Sequence, residues 1–194
     1  RGANVGHRVR VAVGPTGHQR PLRGVGGRDA GPAGMRVRPS GGGACLRHGV
    51  KRLVHVSSVG AVGFRQDGTP ADEDTPFNWP RGFPYMHTKR AGQQIVEQAV
   101  RERGLPAIIL NPASLMGPGD PDPGSPHNRL YATIANRTLR GCFAGGLAVA
   151  DVRDLAGIIV KALSGGQAGE KDLVVGANVP YTRAVRAIGE CLRG

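Results

Sequence analysis

Residues 49–60 read Gly49-Val50-Lys51-Arg52-Leu53-Val54-His55-Val56-Ser57-Ser58-Val59-Gly60. Their centre, Leu53 to Val56, is a short β-branched run that follows a turn-like glycine and stops at two serines. Such a run suits a strand buried in a parallel sheet, which has helices over both faces and needs little polar alternation. Open α/β sheets bind ligands beyond the carboxyl ends of their strands, so the serines stand where chemistry is expected. Side chains alternate along a strand, so only one of Ser57 and Ser58 can face such a site. A turn or cap is the plainer role for either hydroxyl.

Downstream the chain alternates helix and strand. Asp67 to Pro84, which includes Gly68, Pro70, Pro76, Pro80 and Pro84, reads as a long loop, and loops of that length are usually functional. Tyr85 to Arg103 reads as a helix whose apolar stripe includes Ile95, Val96, Ala99 and Val100, stopped by Gly104. Ala107 to Leu110, between Pro106 and Pro112, reads as a second buried strand. Asn111 to Gly146 is rich in Pro and Gly around a helical stretch near Leu130 to Leu139. Asp151 can cap a helix carrying Leu155, Ile158, Ile159 and Ala162; Leu173 to Val175 reads as a third strand; Thr182 can cap a last helix bearing Val185, Ile188 and Leu192. This alternation is that of an α/β fold with a parallel sheet.

Upstream the pattern fails. Arg8 to Val13 alternates as a strand does, but Gly24 to Gly43 holds only Val25, Met35 and Val37 as sizeable apolar residues and reads as irregular. The formal charge of +12 is concentrated there: residues 1–52 hold eleven Lys and Arg against Asp29, while the rest of the chain is nearly balanced. That arm contains no aromatic residue and only four of the 26 basic residues are Lys, which argues against a nucleic-acid surface. No apolar run approaches a membrane span and no leader pattern opens the chain, so a cytoplasmic location is the default expectation. Cys45, Cys142 and Cys191 are odd in number and match no disulfide or metal pattern.

Tyr85 and Lys89 lie four apart on the expected helix, so their side chains share one face. An ammonium beside a phenol stabilises the phenolate, which lets a tyrosine exchange a proton with a substrate hydroxyl or carbonyl. A hydroxyl at the preceding strand end, from Ser58 or Ser57, could hold that same substrate oxygen. Arg153 and Asp154 read most simply as an ion pair at a helix start.

Five landmarks then occur in order: residues 49–60, the loop Glu73-Asp74-Thr75-Pro76, the Tyr85/Lys89 pair, Asn111-Pro112-Ala113-Ser114-Leu115-Met116-Gly117-Pro118-Gly119-Asp120, and Val149-Ala150-Asp151-Val152-Arg153-Asp154-Leu155-Ala156. From Ala44 onward the chain resembles the extended short-chain dehydrogenases of the NAD-dependent epimerase/dehydratase type, most of all their dihydroflavonol-reductase-like and hopanoid-associated sugar-epimerase-like branches. The resemblance implies a Rossmann-like parallel sheet with helices on both faces, incomplete at its N-terminal half, plus a small C-terminal substrate lobe. It implies NAD or NADP as cofactor and a small-molecule substrate of the sugar-nucleotide or dihydroflavonol kind. By the same resemblance Ser58 positions the substrate oxygen, Tyr85 is the acid/base and Lys89 holds the nicotinamide ribose. Pro112, Ala113 and Ser114 line the nicotinamide pocket, and His127 and Asn128 face substrate.

The expected organisation is an anomalous basic segment at 1–43, a Rossmann-like core at 44–112 and 147–175, and a substrate lobe at 113–146 and 176–194. Gly14-Pro15-Thr16-Gly17 is a poor match to the Gly-rich turn that receives a pyrophosphate, because Gln19 and Arg20 follow where another glycine is wanted. Residues 6–22 instead resemble the second strand of the family, which sets the first strand and its phosphate loop ahead of Arg1. Cofactor binding by this chain is therefore expected to be weakened. A noncatalytic remnant or binding module is the alternative function, and a second copy of the chain is a candidate partner for the apolar faces left over.

Overall fold

The structure, a computed structural model, describes residues 40–142 and 144–192. The expected strand at Arg8–Val13 and most of the Gly24–Gly43 stretch lie outside the described residues. The chain divides into two compact units, whose described parts are residues 40–111 with 157–173 and residues 112–156 with 174–192.

The first unit holds a three-stranded sheet in the order β1 (Leu53–Val56), β2 (Ala107–Pro112), β5 (Lys171–Val174). β1 and β2 pair in parallel, with Leu53 opposite Ala107 and Val56 opposite Leu110. The Ile109 N–H donates to the Glu170 carbonyl and the Ala113 N–H to that of Val174, partners that advance together, so β5 also runs parallel. All six residues of β2 are buried. Because successive side chains point to opposite faces, both faces of this strand are covered, as its apolar sequence requires.

One cover is α2 (Pro84–Arg103), which presents Val96 and Ala99 to Ala107 and Ile109, with Leu105, Leu53 and Val100 completing the cluster. Pro84 at the first helical position is preorganised for a helix, and Gly104 ends it in the left-handed conformation at φ 63°. The buried stripe is Gln93, Val96 and Ala99, so the expected apolar face carries a polar residue at its head.

The expected irregularity through Gly43 is corrected at its end. Residues Ser40–Arg47 form a helix, α1, despite three consecutive glycines. Cys45 and Leu46 of α1 pack on the α2 cluster, and Gly42 lies against Leu105 and Ala99. Apolar burial there outweighs the roughly 1 kcal/mol per glycine that propensity costs.

The long loop between β1 and α2 is irregular, as expected, but clasped. The Glu73 carboxylate accepts from the Leu173 N–H at 3.0 Å, and Lys171 Nζ donates to the Glu73 carbonyl at 2.9 Å. The Asn78 amide bridges the N–H and carbonyl of Phe64, and Trp79 Nε1 donates to the Val62 carbonyl.

The second unit was not foreseen as a sheet. β3 (Ser114–Met116) pairs in parallel with β4 (Gly146–Asp151), which pairs antiparallel with β6 (Ala177–Pro180). Its helices α3 (Pro126–Ala135) and α5 (Tyr181–Cys191) pack on each other. α3 begins four residues before the expected stretch because Ser125 caps it, accepting from the Asn128 N–H, with Pro126 next. α5 begins at Tyr181 after Pro180, so Thr182 lies inside the first turn and caps nothing. α4 (Val152–Ser164) starts as expected, the Asp151 carboxylate accepting from the Arg153 N–H at 2.8 Å. Arg153 pairs with Asp151 at 2.5 Å, which replaces the expected pairing with Asp154.

Candidate active site

Tyr85 and Lys89 occupy the first turns of α2, where the helix start faces the C-terminal ends of the strands it covers. Tyr85 is 56% exposed. Lys89 Nζ stands 5.7 Å from the centre of the Tyr85 ring and 3.5 Å from the Ser57 carbonyl oxygen, to which it donates. The helical spacing brings phenol and ammonium together, and the end of β1 holds the ammonium in place.

Ser57 and Ser58 are both buried. The Ser57 N–H donates to the Leu110 carbonyl at 2.7 Å, continuing the ladder with β2, while its hydroxyl has no partner among the described residues. Ser58 ends the strand and caps a short 3-10 turn, Val59–Ala61, its Oγ accepting from the Gly60 N–H at 3.1 Å. That bond uses one lone pair and leaves the hydroxyl proton to donate. A Cβ on Gly60 would fall 2.3 Å from the Met86 sulfur and 3.4 Å from Ser58 Oγ, so a residue without a side chain lets α2 close on this turn.

Beneath Lys89 the layer between sheet and helix is polar. His55 of β1 has its pKa lowered to about 4, first by burial, which disfavours the imidazolium, and then by the positive charge of Lys89, with Glu97 opposing. Asn111 and Gln93 are fully buried and hydrogen-bonded to each other, and Asn111 also donates to the Ser58 carbonyl. Neither was singled out beforehand. Gln93 was open to detection, because it continues the Tyr85, Lys89 face at the same spacing of four.

In the second unit, Ser114 Oγ and His127 Nε2 are hydrogen-bonded at 2.8 Å. Pro112 and Ala113 are buried. Asn128 turns its amide nitrogen to the carbonyls of Asp120 at 3.3 Å and Asp122 at 2.7 Å, so its donors hold the loop ahead of α3. An open cleft of about 390 Å³ on this unit, lined in part by Met116, Gly117, Asp151 and Asp154, includes none of the expected site residues. Among the described residues no cluster of His, Cys, Asp or Glu could hold a metal, and no helix is long and apolar enough to cross a membrane.

The model of the NAD-dependent epimerase/dehydratase family matches residues 43–176. Sterol demethylase protein B of Methylococcus capsulatus is 34% identical over 131 residues, 67% of this chain and 39% of that relative. A 3β-hydroxysteroid dehydrogenase/decarboxylase of Arabidopsis thaliana is 37% identical over 78 residues, 40% of this chain and 18% of its own length. A nucleoside-diphosphate-sugar epimerase of Pseudomonas aeruginosa superposes with a TM-score of 0.68 at 29% identity, covering 78% of this chain and 50% of that structure. The chain thus spans half or less of the length of each of these three proteins. The match covers both strand ends, the helix of Tyr85 and Lys89 and the start of α4, and with it the chain belongs to the NAD-dependent epimerase/dehydratase family.

Proposed function

We propose that this chain carries the proton-transfer half of an NAD(P)-dependent oxidoreductase, epimerase or dehydratase acting on a hydroxyl or carbonyl of a small molecule. The observation that carries the reading is the Tyr85/Lys89 pair: an exposed phenol, an ammonium 5.7 Å from its ring, and a strand-end carbonyl holding that ammonium. Tyr85 takes a proton from the substrate hydroxyl in oxidation and returns it to the carbonyl oxygen in reduction. Lys89 offers positive charge to the phenolate formed when that proton leaves. The Ser58 hydroxyl donates to the substrate oxygen and fixes it for the transfer.

The donors fit a nicotinamide ribose, because a phenol and an ammonium one helical turn apart can together bond neighbouring sugar hydroxyls. Lys89 and Tyr85 would hold that ribose, and by family resemblance Pro112, Ala113 and Ser114 would lie along the nicotinamide. The cofactor, when bound, accepts or supplies the hydride. His127, bonded to Ser114, is the proposed substrate contact of the second unit; Asn128 serves it by holding the preceding loop.

Saturation-transfer NMR with NADH and with NADPH tests the reading, since it detects ligands bound as weakly as roughly millimolar. Saturable transfer to either nucleotide, reduced in Lys89→Met, is the expected result. Transfer to neither at roughly 10 mM ligand would remove the proposal.

A further inference from the structure

The α2-facing side of the sheet ends in a buried amide chain whose direction is set by one carboxylate. Asn111 is 0% and Gln93 1% exposed. The Asn111 amide nitrogen donates to the Ser58 carbonyl and to Gln93 Oε1, each at 2.7 Å. The Gln93 amide nitrogen in turn donates to Glu97 Oε1 at 2.9 Å. An ionised carboxylate only accepts hydrogen bonds, so Glu97 fixes which end of the Gln93 amide faces it. Gln93 must then present its oxygen to Asn111, and Asn111 its nitrogen to Gln93 and to Ser58. Flipping either amide alone would set oxygen against oxygen between fully buried side chains.

The chain terminates on Ser58. Its carbonyl receives the Asn111 amide and also the Ala61 N–H at 2.9 Å, while its hydroxyl receives the Gly60 N–H at 3.1 Å. Stability alone does not call for this, because an apolar pair of similar shape in place of two buried amides is commonly neutral or better. What the amides add is direction. We infer that Asn111, oriented through Gln93 by Glu97, is a positioning residue that holds the Ser58 hydroxyl for proton transfer. The inference rests on the site proposed above for its catalytic meaning, and on the hydrogen bonds alone for its mechanical one.

Two variants and two readouts test it. Amide hydrogen exchange followed by NMR should show Gly60 and Ala61 exchanging about tenfold faster in Asn111→Ala, with Ile109 and Ala99 within about threefold of the parent. Glu97→Gln, a substitution at a partly exposed position, frees the amides to reverse and should accelerate the same two amides by about threefold. Acceleration spread evenly over the sheet and α2, or none at Gly60 and Ala61, overturns the inference.

The second readout is NAD(P)-linked turnover on a 3β-hydroxysteroid, a dihydroflavonol and a UDP-sugar. Asn111→Ala should lower kcat about tenfold with KM within about threefold, and should lower it no further in a Ser58→Ala background. An equal fall in that background overturns the inference, because a merely structural loss would persist there. Absence of turnover in the parent chain counts against the catalytic reading alone, and the exchange rates then decide the positioning role.

Discussion

Beneath α2, the two ends of one sheet face are built from different chemistry. Toward the strand starts, Leu53, Ala107 and Ile109 meet Val96, Ala99 and Leu105 in an apolar cluster. Two residues further along the same strands, His55, Ser57 and Asn111 meet Lys89, Gln93 and Glu97. The backbone is the same parallel ladder throughout and the same helix lies over it. The apolar end holds the layers together by burial, which has no direction. The polar end contributes geometry, because each hydrogen bond specifies an orientation. The proton transfer proposed above lies at the end where orientation is specified.

The largest effect expected at the polar end is on turnover. Tyr85→Phe should lower NAD(P)-linked kcat by about a thousandfold, the range of a lost acid/base group, without moving the urea midpoint, because the phenol is exposed. At the apolar end the reverse holds: Ile109→Ala should cost about 2–5 kcal/mol in urea unfolding while leaving the pH dependence of stability unchanged. A large stability loss in Tyr85→Phe, or a small one in Ile109→Ala, would break the division.

His55 lets pH sharpen it. With a folded pKa of about 4 against 6.5 unfolded, the unfolded chain binds the extra proton between those values. Stability is therefore unaffected above about pH 6.5 and falls as pH drops toward 4, by about 3 kcal/mol in all. Urea unfolding across that interval checks it, and His55→Leu should flatten the slope. Smaller still is Gly60→Ala, where the added methyl meets the movable end of Met86 and should cost about 1 kcal/mol. Arg153→Ala, which breaks a solvent-exposed pair on the second unit, should leave the urea midpoint unmoved.

Much of the first unit was readable from local pattern. Leu53–Val56 and Ala107–Leu110 are apolar runs bounded by turn residues, and α2 carries Pro84 at its start and Gly104 at its end. Tyr85 and Lys89 follow from helical spacing alone. The failures share a cause, which is that distant contacts decided the outcome. Ser40–Gly43 is helical because Leu105 and Ala99 receive it, some sixty residues away. β6 is a mostly exposed Ala-Asn-Val-Pro whose strand character comes from pairing with β4. Asn111 was visible only as part of a family landmark. Its partners Ser58 and Gln93, 53 and 18 residues away, become its neighbours only once β1 pairs with β2 and α2 packs on the sheet.

The clasp on the long loop ties local order to chain assembly. Glu73 and Leu173 are 100 residues apart, and their bond can form only after α2, β2 and α4 are in place to bring β5 alongside. Contacts of such separation carry a closure entropy that earlier structure must first offset, which makes them late in folding. The loop over residues 64–83 is thus expected to become protected last, after the sheet and α2. Pulsed trypsin digestion during refolding should find Arg65 and Arg81 cleavable after the β2 amides are already protected, and Glu73→Ala should prolong that interval.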